Sequence, residues 1–87
     1  MMPLNFAILK LFTNGQEACP EDVIEALRPE YGHFKALNKA DVLTALMTAE
    51  SNGLLEESRF DLDENGEVRV FFRAGAEAIA TINKYIR

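Results

Sequence analysis

The chain has 87 residues, of which 48% are hydrophobic and 26% charged, and its 14 acidic side chains against nine basic ones give a formal net charge of -5. A chain of this length buries roughly 60 to 65% of the surface that it exposes when unfolded, so we expect one domain, residues 1–87, with a single small core. The composition excludes an intrinsically disordered chain. The negative charge repels polyanions at long range, so any contact with a nucleic acid has to be local.

Cysteine usage and hydropathy indicate where the protein works. Cys19 is the only cysteine, so the fold does not depend on an internal disulfide or on an oxidising compartment. No apolar run is long enough to cross a bilayer, and Met1-Met2-Pro3 lacks the basic start of a secretory leader. We therefore expect a cytoplasmic protein that does not insert into a membrane.

The first predicted helix follows Pro3 and stops at Thr13-Asn14-Gly15. One stripe of it is apolar at spacings of three and four residues, as expected of a buried helix face; its members are Leu4, Ala7, Ile8, Leu11 and Phe12. Phe6 and Leu9 lie on the opposite side, so the helix is apolar nearly all round. Either another element covers these two side chains, or they form an interface with a second copy of the chain.

A second helix is predicted to begin at Pro20-Glu21-Asp22, where a proline and two acids suit a first turn. Val23, Ile24 and Leu27 form its buried face, and we expect it to end before Pro29. The segment from Glu30 to Leu37 is predicted to be an irregular link, with its larger apolar side chains docked on the core; these are Tyr31, Phe34 and Leu37.

The third predicted helix runs from about Asn38 to Asn52. Asn38 is a good N-cap, Asp41 is placed to reach back to it, and Asn52-Gly53 suits a helix C-terminus. The spacing predicts a buried face made of Val42, Leu43, Leu46 and Met47. The outward face then consists of Asp41, Thr44, Ala45, Thr48 and Asn52, without Arg or Lys.

After Leu55 the hydrophobic period changes from three and four to two, which predicts two strands. Phe60 and Leu62 alternate with charged residues in the first, and Val68, Val70 and Phe72 alternate with Arg69, Phe71 and Arg73 in the second. Glu64-Asn65-Gly66 between them predicts a tight hairpin turn, because Asn and Gly both accept a positive φ. A last helix opens after Arg73 and buries Ile79, Ile82 and Ile86.

The order helix, helix, helix, hairpin, helix resembles the winged-helix domains of PadR-like and MarR-like bacterial transcriptional regulators. The residues that carry the resemblance are Val42-Leu43-Thr44-Ala45-Leu46, Ser51-Asn52-Gly53-Leu54-Leu55-Glu56, and the segment from Val70 to Ala78. The resemblance implies an α+β, mostly α, winged-helix fold. In such families the third helix enters the major groove of DNA, the hairpin, or wing, contacts the backbone or minor groove, and the terminal helices often form a dimer.

Transferred to this chain, the resemblance implies that Thr44, Thr48 and Asn52 contact double-stranded DNA from the third helix. The basic residues placed to hold phosphates are Lys35, Lys39, Arg59, Arg69 and Arg73. Phe6 and Leu9 would lie at a homodimer interface. Against DNA binding stand four carboxylates around the hairpin tip, which repel phosphates; these are Asp61, Asp63, Glu64 and Glu67.

Two functions of different class therefore remain open. The chain is either a DNA-binding transcriptional regulator or a winged-helix module that binds an unknown protein and no DNA. The arginines of the hairpin have two interpretations as well. They form a phosphate-binding row with Phe71 ready to stack on a partner, or Arg59 pairs across the hairpin with Glu67 or another acid.

No catalytic or metal-binding motif stands out in the sequence. Asp61-x-Asp63-x-Asn65-Gly66 matches the opening of a calcium loop, but Phe72 holds the twelfth position where the loop needs a Glu, so a hairpin turn is the better interpretation. Cys19 at a helix start and the single histidine, His33, do not form a cluster. We expect no enzymatic activity, no metal and no cofactor.

Overall fold

The computed structural model describes all 87 residues and contains four α-helices and one antiparallel hairpin. The elements are α1 (Leu4–Leu11), a 3-10 turn (Phe12–Asn14), α2 (Pro20–Tyr31), α3 (Lys39–Ser51), β1 (Glu56–Leu62), β2 (Val68–Arg73) and α4 (Ala76–Tyr85). The predicted element order and the α+β winged-helix class are confirmed. No helix combines the length and the apolar character needed to cross a membrane.

Helix α1 has the predicted end and the predicted buried stripe except for Leu11, which is half-buried. Leu4, Ala7, Ile8 and Phe12 are buried. Gly15 takes a φ of 79°, a left-handed conformation that side chains with a Cβ rarely adopt, and so turns the chain away from the helix axis.

Helix α2 is longer than the sequence suggested. We expected it to end before Pro29, but it continues to Tyr31, and the N–H of Gly32 donates to the Arg28 carbonyl at 2.9 Å. Pro29 has no N–H to donate to the Glu25 carbonyl, so the helix continues through it with one hydrogen bond missing. Tyr31 holds this turn in place, since its ring is buried and its hydroxyl donates to the Met2 carbonyl.

Helix α3 starts as predicted. The Asn38 side chain accepts the N–H of Asp41 at 2.9 Å, and its amide donates to the Asp41 carboxylate at 2.8 Å. The expected burial of Met47 is wrong, because 53% of this residue is exposed. The buried line is instead Val42, Leu46 and Ala49, at i, i+4 and i+7, which leaves Leu43 half-buried and turns Met47 to solvent.

The hairpin pairs Phe60 with Val70 and Leu62 with Val68, and it has a β-bulge between Glu57 and Arg59. Of its turn residues only Gly66 takes a positive φ, at 79°, so the expectation that Asn65 does so too is wrong. The Asp63 side chain closes the turn instead, because it accepts hydrogen bonds from the N–H groups of Asn65 and Glu67.

Phe72 joins the hairpin to the helical core. Its side chain is completely buried among residues of α1, α2, α3 and α4. Its backbone exchanges two hydrogen bonds of 2.9 Å with Ala18, in the segment that leads into α2. The residue therefore fixes both the depth and the direction of the wing.

Replacing Phe72 by Ala should lower the free energy of unfolding by about 3 to 5 kcal/mol, the usual cost of deleting a buried aromatic ring. The matched control is Phe60→Ala, which deletes the same ring from a residue that is 71% exposed. That change should stay within about 0.5 kcal/mol of the parent. Urea unfolding of dilute samples measures both, and equal losses would contradict the role given to Phe72.

Candidate nucleic-acid interface

Three of the predicted DNA contacts lie together on α3 and its C-cap residue and are exposed. Thr44, Thr48 and Asn52 follow one another at i, i+4 and i+8 and line an open groove of about 380 Å³ between α1 and α3. The floor of the groove is apolar and includes Ile8, Leu9, Ala45 and Ala49. The Thr44 hydroxyl donates to the Ala40 carbonyl at 3.1 Å, whereas the Thr48 hydroxyl and the Asn52 amide make no hydrogen bond within the protein.

The two lysines near the start of α3 differ in their surroundings. Lys39 pairs with Glu21 of α2 at 3.3 Å, and this carboxylate raises the pKa of the lysine. Lys35, in the link between α2 and α3, is exposed and lies in no ion pair. Of these two cations, only Lys35 has its charge uncompensated by a close carboxylate.

The arginines of the wing are bound to carboxylates of the same molecule. Arg59 contacts Glu17 at 2.7 Å and Asp61 at 3.4 Å, and Arg69 contacts Asp61 at 2.8 Å across the two strands. We call these four residues the wing lattice. Arg73 faces Glu56 at 4.0 Å, a longer contact. Four of the five predicted phosphate-binding cations are thus compensated internally. Arg59 was expected to pair with Glu67 or another acid, and the acids it contacts are Glu17 and Asp61.

The wing lattice covers Phe71. This ring is only 7% exposed, and the guanidinium of Arg59 lies 3.9 Å from its centroid. Phe71 is therefore not available to stack on a partner, and the alternative in which the arginines serve the sheet itself describes their contacts better.

The acids of the wing lattice and the hairpin turn have lowered pKa values. The hydrogen bond from Arg59 lowers the pKa of Glu17, and the hydrogen bonds from Arg69 lower the pKa of Asp61. The pKa of Asp63 is lowered chiefly by the backbone N–H of Glu67. Since Asp63 closes the turn, its carboxylate has a structural task, and no group of three or more His, Cys, Asp or Glu side chains is placed to hold a metal ion.

Cys19 and His33 lack the properties of a reactive cysteine–histidine pair. Cys19 is 1% exposed, and burial raises the pKa of its thiol, which disfavours the reactive thiolate. Its N–H donates to Asp22 at 3.1 Å, so its place is at the start of α2. His33 is exposed and packs edge to face on Phe34, with 4.7 Å between ring centroids.

The two residues predicted for a dimer interface are partly open to solvent. Phe6 is 46% exposed, and Leu9 is half-buried and lines the groove between α1 and α3. Their outer face is not covered by α4, which approaches α1 at Lys10, whose ammonium donates to Asn83 at 2.8 Å.

Sequence reasoning missed the acids that neutralise the interface. Glu17 and Glu21 were not assigned to any partner, because they lie 42 and 18 positions before Arg59 and Lys39 (59 − 17 and 39 − 21). Only the excess of acids over bases signalled that free cations would be scarce.

Two solved structures share the arrangement of the whole chain. Bacillus subtilis PadR, crystallised in complex with operator DNA, matches 97% of this chain with a TM-score of 0.73 and 19% sequence identity. A PadR-like transcriptional regulator from Bacillus cereus matches 93% of it with a TM-score of 0.67 and 14% identity. The fold is a PadR-like winged helix.

At these identities the likeness shows the fold alone. The PadR-like winged helix of this chain corresponds to 47% of the Bacillus subtilis protein and 75% of the Bacillus cereus one, so it spans about half the length of the first. No protein-family model matches the sequence, and no curated protein is significantly similar to it.

The wing lattice should make stability depend on pH. Because the folded-state pKa values of Glu17 and Asp61 lie below their ordinary values of 4.5 and 3.8, the stability is present above those values and is lost as the pH falls through the lowered ones. Asp61→Asn should therefore lower the urea midpoint at pH 7, and the difference from the parent should shrink at pH 3.

Glu64→Gln is the matched control for this prediction, since it removes one negative charge at the wing tip, where Glu64 has no ion pair. Its urea midpoint should follow the parent at both pH values. A midpoint for Asp61→Asn that equals the parent at pH 7 would show that the ion pairs of Asp61 do not stabilise the wing.

Proposed function

We propose that this chain is a DNA-binding domain of a PadR-like transcriptional regulator and has no enzymatic activity. The observation that carries the proposal is the match of 97% of the chain to a regulator that was crystallised on its operator, combined with an exposed polar row along α3. The row is Thr44, Thr48 and Asn52. The comparisons do not favour the alternative of a module that binds only protein.

In the proposed mode α3 enters the major groove. Thr48 and Asn52 have hydrogen-bonding groups that are not used within the protein, and an amide such as that of Asn52 forms paired hydrogen bonds with adenine. The neighbouring Ala45 is small and allows close approach of the helix to the base edges. Base contacts of this kind supply specificity, whereas affinity depends mainly on cations at the phosphates.

Ion pairs within the protein limit the affinity for DNA, because they occupy most of the cations. Lys35 is free to contact a phosphate, but Lys39, Arg59, Arg69 and Arg73 each face a carboxylate. These surface ion pairs are weak, so DNA phosphates are able to compete for the cations, but each exchange leaves an acid close to the DNA. The affinity should therefore be modest and should depend weakly on salt.

The proposed partner is double-stranded DNA, bound by a homodimer. Phe6 and Leu9 are the proposed dimer contacts, because Phe6 is exposed on the side of α1 that faces away from the core. Two copies would present two α3 helices to successive major grooves, as two-fold symmetric regulators do.

Selection from a random duplex library, followed by fluorescence anisotropy with the selected duplex at several salt concentrations, tests the proposal. The expected slope of log K against log salt lies between about -1 and -2 for a protein in which each of two copies uses one cation, because each phosphate contact contributes about -0.9. Phe6→Glu should alter the oligomeric state, which establishes that the parent is a dimer. If that dimeric parent binds no selected or genomic duplex at low salt, the proposed DNA binding is contradicted.

A charge-release variant makes the test sharper. Glu21→Gln frees Lys39 and should steepen the slope by about 0.9 for each copy bound, because one more phosphate contact becomes available. Glu77→Gln is the matched control, since both acids lie in the first turn of a helix and only Glu21 compensates a cation of the proposed interface. Equal effects of the two variants would show that only net charge matters and that Lys39 does not contact phosphate.

A further inference from the structure

The wing has an apolar face that neither the core nor the proposed DNA contacts use. Phe60 is 71% exposed, Leu62 61% and Val68 57%, and the strand register places them side by side. Val70, next to them, is half-buried. Three of the seven large apolar residues that are exposed on the molecule are therefore adjacent on one short hairpin.

The outer edge of β1 is also unpaired. The sheet has the order β1-β2, and Ala18 bridges to the far side of β2, so the other edge of β1 is open and no helix packs extensively against it. An open edge presents unpaired N–H and C=O groups and is a template for another strand.

The register determines which residues of β1 offer these groups. The N–H of Asp63 donates to Glu67, and Asp61 and Arg59 stand opposite Arg69 and Phe71, so the odd positions of β1 bond to β2. The backbone N–H and C=O groups at the even positions of β2 point away from β1, as the hydrogen bonds between Phe72 and Ala18 show. By the same alternation the backbone N–H and C=O groups of Phe60 and Leu62 point outward from the free edge.

We propose that β1 pairs in antiparallel fashion with β1 of a second copy, across a two-fold axis at Phe60, to form a continuous four-stranded sheet. The two Phe60 residues then exchange backbone hydrogen bonds, and their rings lie together on the apolar face. Such a contact uses the same patch on both copies, so one pairing occupies the β1 edges of two copies and leaves neither of those edges open.

Charge selects this register over its neighbours. An axis at Phe60 sets Arg59 of each copy opposite Asp61 of the other, which gives two favourable cross-strand pairs. An axis at Arg59 or at Asp61 would set like charges against each other, and an axis at Leu62 would set Asp61 opposite Asp63. Beyond the central residues the bulge at Glu57 and the repulsion between Glu57 and Asp63 end the ladder.

A second copy suits this edge better than DNA does. The acids that flank the apolar face, Glu64 and Glu67 among them, have the same sign as phosphate, and Arg59 and Asp61 alternate in the order that an identical antiparallel strand complements. The pairing does not rest on the proposed DNA binding, and both measurements below are made without DNA.

Disulfide cross-linking tests the register directly. Hydrogen-bonded antiparallel pairs have Cα atoms about 5.5 Å apart, within the range that a disulfide spans, so Phe60→Cys should yield a covalent dimer under mild oxidation. Leu62→Cys is the matched control, because the proposed register separates the two Leu62 residues by about 13 Å, at ~3.3 Å per residue over four residues. The native Cys19 is buried and does not compete.

Equal cross-linking of the two variants would indicate random collision, and no cross-linking of Phe60→Cys would show that the edges do not meet; either result overturns the proposal. Sedimentation velocity over a concentration series supplies a second measurement. The measurement is made in a Phe6→Glu background, which removes the proposed α1 contact. There Phe60→Lys should weaken association about tenfold or more, as expected for a central interface residue, whereas Val68→Lys, on the same face but on β2, should weaken it less. A Phe6→Glu protein that stays monomeric at the highest concentration, or a larger effect of Val68→Lys, would overturn the pairing.

Discussion

The two hydrogen bonds between Ala18 and Phe72 fix where the wing leaves the helical core. They join the segment before α2 to β2, and the buried Phe72 ring packs on the helices from the same position. A chain of 87 residues has a small core, which contacts only the base of the hairpin. The distal half of the hairpin extends into solvent. The position of every charged residue on the wing follows from this one attachment.

The charged side chains of the wing form ion pairs within the protein. Glu17 reaches Arg59 across β2 because Ala18 is bonded next to that strand, and Asp61 joins Arg59 to Arg69 over the buried Phe71. The row of arginines, which the sequence left open as a phosphate-binding surface, is therefore largely compensated. A DNA-binding mode for this chain depends on the uncharged row of α3 and on Lys35, with modest help from cations that have to leave a carboxylate.

Sequence patterns predicted the elements well where local chemistry decides them. Asn38 caps α3, Gly15 and Gly53 take positive φ values where helices end, and the change of period after Leu55 marks the strands. Two predictions failed where tertiary contacts decide. Tyr31 bonded to Met2 carries α2 past Pro29, and packing of Val42, Leu46 and Ala49 against the core leaves Met47 exposed. The turn differs for a local reason, since the Asp63 side chain closes it without a left-handed Asn65.

The candidate site divides in the same way. The row of Thr44, Thr48 and Asn52 follows from helical spacing alone and lies together on one exposed face, as the sequence predicted. The ion pairs of Arg59 with Glu17 and of Lys39 with Glu21 could not be predicted from sequence spacing, because the partners lie in distant segments that only the folded chain brings together. The open edge of β1 likewise depends on the direction of backbone groups, which the sequence does not show until the register is known.

In the proposed mode α3 and the adjacent Lys35, and not the wing tip, make the principal contacts with DNA. Nuclear magnetic resonance of ¹⁵N-labelled protein, titrated with a duplex obtained by selection, tests it most directly. We expect the largest amide shifts at Thr44, Thr48 and Asn52 and near Lys35, with small shifts at Glu64 and Asn65 of the wing tip. Shifts concentrated on the wing tip, with α3 unchanged, would contradict it.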